Sequence, residues 1–254
     1  MTHMHVAING RAIETRFLPG DATASTLVFL HEGLGCVSLW RDFPDQVARR
    51  LKARALVYSR FGYGQSAPLE APREPGFMHD EALTVLPALL AHYNIERPIL
   101  IGHSDGASIA LIYAAHHPER VAGVVLMAPH VFVEAISQLS IAHIMKTYET
   151  TDLRQRLARH HAHVDDAFLG WARIWLDPRF RTWSLGAEVQ ALTCPSLLIQ
   201  GEDDAYGTLA QIDAIGETGS GPVERLVLKD CGHAPHRDQE PTVLDAIERF
   251  VRSR

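Results

Sequence analysis

Five short runs in this chain, residues 26–30, 55–58, 98–101, 121–127 and 196–200, are apolar at nearly every position, with helix-spaced segments between most of them. A strand that is apolar on both faces has to be covered on both faces. Alternation with helices therefore restricts the chain to an α/β architecture: a mainly parallel central sheet of about eight strands with helices on both faces. Weaker β-type segments at 5–8, 14–18 and 224–228 complete the strand set. Helical spacing is read at 38–51, 78–93, 107–116, 208–215 and 241–251, with Pro44 requiring the first of these to start late or bend.

The alternation stops between residues 130 and 186, where no β-like run occurs and the pattern suits amphipathic helices, including 167–176 with Trp171 and Trp175 four apart. The expected organisation is a core of 1–129 and 187–254 carrying a helical cap insertion at 130–186. With 254 residues, 46% of them hydrophobic, the core can form as one domain. Twenty-four Lys and Arg against 30 Asp and Glu give a net charge of −6, spread along the sequence, which disfavours a nucleic-acid partner. The N-terminal segment lacks the features of a secretory signal, and no run is long and apolar enough to span a bilayer, so a cytoplasmic location without a membrane partner is the expectation. Cys36, Cys194 and Cys231 are odd in number and widely spaced, suggesting neither disulfides nor a zinc site.

Gly102-His103-Ser104-Asp105-Gly106 falls between a predicted strand and a predicted helix. Glycines at both ends keep a sharp strand-to-helix turn free of side-chain clashes, so Ser104 projects above the sheet. A serine hydroxyl is a poor nucleophile at neutral pH and needs a base and an orienting acid. Gly201-Glu202-Asp203-Asp204 follows one later strand and Lys229-Asp-Cys-Gly-His233 the next, at the strand ends where sites in open parallel sheets gather. Ser104 as nucleophile and His233 as base, with a carboxylate from the 202–204 turn, form the expected catalytic set. Neither metal nor organic cofactor is required.

From about residue 26 onward these motifs resemble the α/β-hydrolase family. The resemblance implies that the acid lies three residues after the glycine of the turn, which selects Asp204 and leaves Asp203 as the other candidate. It implies an oxyanion hole from the backbone N–H groups of Gly33 and Asp105, with His31-Glu32-Gly33-Leu34-Gly35 standing for the family's H-G-x-x-G turn. Glu32 replaces the usual glycine and leaves Leu34 as an alternative donor. The implied activity is cleavage of a carboxylic ester or related acyl bond in a small molecule through an acyl-enzyme. Carbon–carbon hydrolysis of the meta-cleavage type, aminoacyl amide cleavage and slow-turnover ligand reception on the same fold are the alternatives.

Glu32, Asp105, Trp171 and Trp175 are the candidate substrate-binding residues. Asp105 and Glu32 border the expected pocket, and the S-D-G segment is similar to that of the valacyclovir-hydrolase-like branch, which suggests an aminated acyl group. The competing reading has Asp105 capping its helix and Glu32 paired with Arg60. His103 is expected to pack against the core, Arg60 to be structural, and His236 to sit on a loop or rim. His160, His161 and His163, with Asp165 and Asp166, do not share one helical face and are expected to be exposed cap residues rather than metal ligands.

Overall fold

The computed structural model describes residues 4–254. Eight strands form one sheet in the order β1-β2-β4-β3-β5-β6-β7-β8. They are β1 (Met4–Ile8), β2 (Arg11–Leu18), β3 (Leu27–Leu30), β4 (Ala55–Tyr58), β5 (Ile99–His103), β6 (Gly123–Met127), β7 (Ser196–Gly201) and β8 (Val223–Leu228). All pairs from β4 through β8 are parallel, and β1 and β2 add an antiparallel edge.

The doubly apolar runs are explained by where their alternate side chains go. Val28, Leu30, Leu100, Val124, Leu126 and Leu198 enter the core on one face, while Leu27, Phe29, Ile99, Ile101, Val125, Met127, Leu197 and Ile199 enter the core on the other. The second face is covered by α1 (Phe43–Leu51) and, at the C-terminus, by a helix over Glu240–Arg252, which contributes Val243, Ile247 and Phe250. At the exposed edge, β8 carries Glu224 and Arg225 outward, charges that discourage pairing with another strand.

Two local departures from the sequence reading have simple causes. The strand expected at 14–18 begins at Arg11, because Asn9 and Gly10 take left-handed backbone (φ 50° and 77°) and turn β1 directly into β2. The helix expected at 78–93 runs through α2 (Phe77–Asp80), a π turn at Glu81–Val85 and α3 (Leu86–His92). Pro87 has no N–H for the Leu83 carbonyl, and the preceding turn widens to accommodate its ring.

On the other face, α4 (Asp105–His116) is buried along nearly its whole length. Between β6 and β7 the chain passes through α5 (Ala135–Thr150), α6 (Leu153–Leu157), α7 (Val164–Leu176) and α8 (Gly186–Ala191). Next come α9 (Ala210–Thr218), α10 (Pro235–Asp238) and α11, the Glu240–Arg252 helix. Among the described residues no helix is long and apolar enough to cross a membrane.

Candidate active site

Ser104 joins β5 to α4 with φ 52° and ψ −122°, a conformation that a residue with a Cβ rarely adopts. Close approach of neighbouring backbone holds it there. A Cβ on Gly102 would lie 2.5 Å from the Ala107 Cα, and one on Gly106 would overlap the Leu30 carbonyl and lie 2.6 Å from the His31 oxygen. The two glycines thus allow strand, helix and neighbouring strand end to converge under the serine.

The loops after β7 and β8 bring the expected partners to it. Ser104 Oγ donates to His233 Nε2 at 2.9 Å, and His233 Nδ1 lies 2.8 Å from both carboxylate oxygens of Asp204. Asp203, the other candidate acid, is exposed. Asp204 also accepts from the Tyr206 N–H (2.8 Å), the Gly207 N–H (3.3 Å) and Gln200 Nε2 (2.7 Å). Burial pushes its carboxyl pKa up, but the hydrogen bond and charge of His233 and the Tyr206 N–H outweigh this and hold it below the usual value. An ionised Asp204 keeps the proton of His233 on Nδ1 and leaves the Nε2 lone pair for the serine.

A cavity of about 110 Å³ stands over Ser104 and is lined by Glu32, Gly33, Leu34, Ser104, Asp105, His130, Ser137, Ile141, Trp171, Trp175, Tyr206 and His233. Within the described residues the N–H groups of Gly33, Leu34 and Asp105 have no hydrogen-bond acceptor. Trp171, from α7, presses on the Gly33 turn so closely that a Cβ there would fall within its indole, with Cε2 at 2.7 Å.

The two pocket carboxylates are engaged inside the protein. Asp105 is fully buried; its Oδ1 accepts from Trp175 Nε1 at 3.2 Å and its Oδ2 lies 3.9 Å from Arg60 Nη2. Burial raises its pKa, with Arg60, Arg73 and the indole opposing. Glu32 does not pair with Arg60 through its carboxylate; Arg60 Nη2 donates instead to the Glu32 backbone carbonyl at 2.8 Å. The Glu32 carboxylate lies between His103 Nδ1 (3.5 Å) and Arg237 Nη2 (3.6 Å), a geometry set by residues remote in sequence. Burial raises its pKa, but His103, Arg237 and His31 bring it well below the usual carboxylate range. A Cβ on Gly35 would overlap this side chain, so Gly35 makes room for Glu32.

His103 is buried, and its Nε2 donates to the His233 carbonyl at 2.6 Å, fastening the histidine loop to the end of β5. Two histidines differ from expectation. His236 is buried, not on a rim, because its ring packs among Trp40, Phe43 and His103 at 4.9–5.2 Å. His161 is buried, not exposed, because Nδ1 accepts from the Gly64 N–H (2.9 Å) and Nε2 donates to the Leu34 carbonyl (3.1 Å). His160 meets Ser38, and His163 is exposed. Among the described residues no group of three or more His, Cys, Asp or Glu side chains is arranged to hold a metal ion.

His130 and Tyr206 also line the cavity, and the sequence reading does not single them out. His130 lies just past the carboxyl end of β6, so the strand-end rule that points to Asp204 and His233 is a usable signal for it too.

Residues 25–182, more than half of the chain, match the alpha/beta hydrolase fold family. A (lyso)-N-acylphosphatidylethanolamine lipase from Homo sapiens is 30% identical over 111 residues, 44% of this chain and 32% of that protein. A probable proline iminopeptidase from Leptolyngbya boryana is 29% identical over 109 residues, 42% of this chain and 32% of that protein. These matches span about a third of the length of the curated relatives. An alpha/beta hydrolase enzyme from a Medee basin deep-sea metagenome library superimposes with a TM-score of 0.79 at 19% identity, over 97% of this chain and 96% of that one.

Proposed function

Because the chain belongs to the alpha/beta hydrolase family, we propose that it is a serine hydrolase that cleaves a short-chain carboxylic ester through an acyl-enzyme. The observation that carries this reading is the unbroken hydrogen-bonded chain from Ser104 through His233 to Asp204. Ser104 Oγ attacks the acyl carbon while its proton passes to His233 Nε2. The carbonyl oxygen becomes an oxyanion facing the unengaged N–H groups of Gly33 and Asp105. The tetrahedral adduct expels the alkoxide, which takes the proton from His233. Water, deprotonated by the same Nε2, then attacks the acyl-enzyme and regenerates Ser104.

Cavity size supports a short acyl group. The space above Ser104 is about 110 Å³, smaller than the ~150 Å³ apolar cavity that admits benzene. A long lipid chain would require α7 or α5 to move. Asp105 Oδ2 has no hydrogen-bond partner among the described residues, but Arg60 stands 3.9 Å from it and His103 and Arg237 flank Glu32, so internal partners already offset both carboxylates and disfavour the aminated acyl group.

Multiple turnover of p-nitrophenyl acetate and butyrate, abolished in Ser104→Ala, is the expected result. Tight ligand binding without turnover of esters, lactones, thioesters or amides would overturn the reading in favour of a receptor.

A further inference from the structure

The polar groups around the cavity divide into those already used and those that are not. Asp105 Oδ1 is taken by Trp175, while its Oδ2 lacks a hydrogen bond and is offset by the Arg60 charge at 3.9 Å; Glu32 is flanked by His103 and Arg237, and Ser137 Oγ donates to the Tyr206 carbonyl at 2.5 Å. Three side chains remain. His130 is 3% exposed, yet its buried Nδ1 has no hydrogen-bond partner among the described residues. Trp171 and Tyr206 line the same cavity, with an indole N–H and a phenol hydroxyl to offer. Buried polar groups without partners are uncommon in a folded protein and ask for an occupant that supplies one.

None of the three carries charge. Burial drives the His130 pKa down to about 3, helped by the neighbouring His233 and offset in part by Asp204, so its ring is neutral. Burial likewise raises the Tyr206 pKa, and its hydroxyl stays protonated. A neutral imidazole offers one N–H and one lone pair, matching a hydroxyl or an oxo oxygen. An ionised substrate carboxylate would find no cation among these three, and an ammonium would meet only carboxylates whose charge Arg60, Arg237 and His103 already offset.

We propose that this cavity selects short, uncharged acyl groups bearing a hydroxyl or oxo substituent, with His130 as the specificity-determining contact and Trp171 and Tyr206 beside it. The inference rests on the serine-hydrolase reading of the same cavity.

The test compares p-nitrophenyl esters of butyrate, 3-hydroxybutyrate, 3-aminobutyrate and monosuccinate on wild type, His130→Leu and His130→Gln. The readout is the ratio of kcat/KM for two substrates on one protein, so any loss of folded enzyme cancels. In wild type 3-hydroxybutyrate should exceed butyrate by about tenfold, the worth of one good hydrogen bond, with the charged esters below butyrate. His130→Leu should bring the hydroxybutyrate ratio near one, and His130→Gln, which restores an amide donor and acceptor, should recover part of it. A wild-type ratio near one, a ratio unchanged in His130→Leu, or 3-aminobutyrate as the best substrate would overturn the proposal. Absence of Ser104-dependent turnover of butyrate itself would overturn the underlying ester reading and this proposal with it.

Discussion

Gly33→Ala is the most informative single perturbation of this site. A methyl group there lies inside the Trp171 indole, with Cε2 at 2.7 Å and Nε1 and Cδ1 nearer, whereas ordinary contact begins at 3.4 Å. The Gly33 turn or the indole must therefore yield by about 1 Å, a displacement that at the proposed reacting centre costs ~10²-fold in rate. That factor corresponds to about 2.7 kcal/mol of transition-state stabilisation. Overpacking of this kind destabilises by ~1–3 kcal/mol, and each kcal/mol lowers the Tm of a chain this size by about 2–4 °C. The assay is kcat/KM on p-nitrophenyl acetate together with a thermal melt, run as a double-mutant cycle with Trp171→Leu, whose side chain is shorter and can rotate away. Combined with Trp171→Leu, the Gly33→Ala change should cost less than it does in wild type, in both rate and Tm. Full activity and an unchanged Tm in Gly33→Ala, or equal costs in both backgrounds, would refute the reasoning.

Asp204→Asn should lower kcat by ~10⁴ by allowing the wrong His233 tautomer, while Asp203→Asn, on an exposed residue, stays within about threefold of wild type in the same kinetic assay. Burial holds the pKa of His130 (about 3), and those of His31 and His236, below the ordinary 6.5. The unfolded chain therefore binds more protons than the folded one as pH falls below 6.5, and stability is lost by up to about 1.4 kcal/mol per pH unit for each such histidine. Urea melts from pH 7 to 4 should show a shallower decline in His236→Phe than in wild type, and parallel curves would exclude the assignment. Gly106→Ala, whose methyl meets the rigid Leu30 carbonyl rather than a side chain, should cost at least the ~1–3 kcal/mol of core overpacking, visible as a lowered urea midpoint.

The fold is legible because its strands are doubly apolar, and that pattern survives in any sequence that must bury a sheet on both faces. Ala55–Tyr58 is located to the residue; Ser104 and the 202–204 turn stand out because each follows such a strand, and His233 because it follows the weaker edge strand β8 in the same manner. Backbone turns are harder to read: Asn9 and Gly10 set the β1–β2 register through two positive φ angles, with little hydrophobic signal. Polar partners are hardest of all. Glu32 meets His103 and Arg237, about 70 and 205 positions away, and His161 is buried by the Gly64 N–H and the Leu34 carbonyl. Such pairings are fixed by three-dimensional packing and leave no local period. His130 escapes notice because an isolated histidine after a strand carries no pattern, although its position at a strand end has meaning.

The bond from Trp175 to Asp105 couples the segment between β6 and β7 to the residue beside Ser104. A graft that replaced this segment with one lacking an indole donor at that place would strip a fully buried carboxylate of its only hydrogen bond among the described residues. Exchange of the β6–β7 segment between relatives is therefore constrained by the identity of the residue at position 105: the two have to travel together, or the recipient has to trade its aspartate for an apolar residue at the same step.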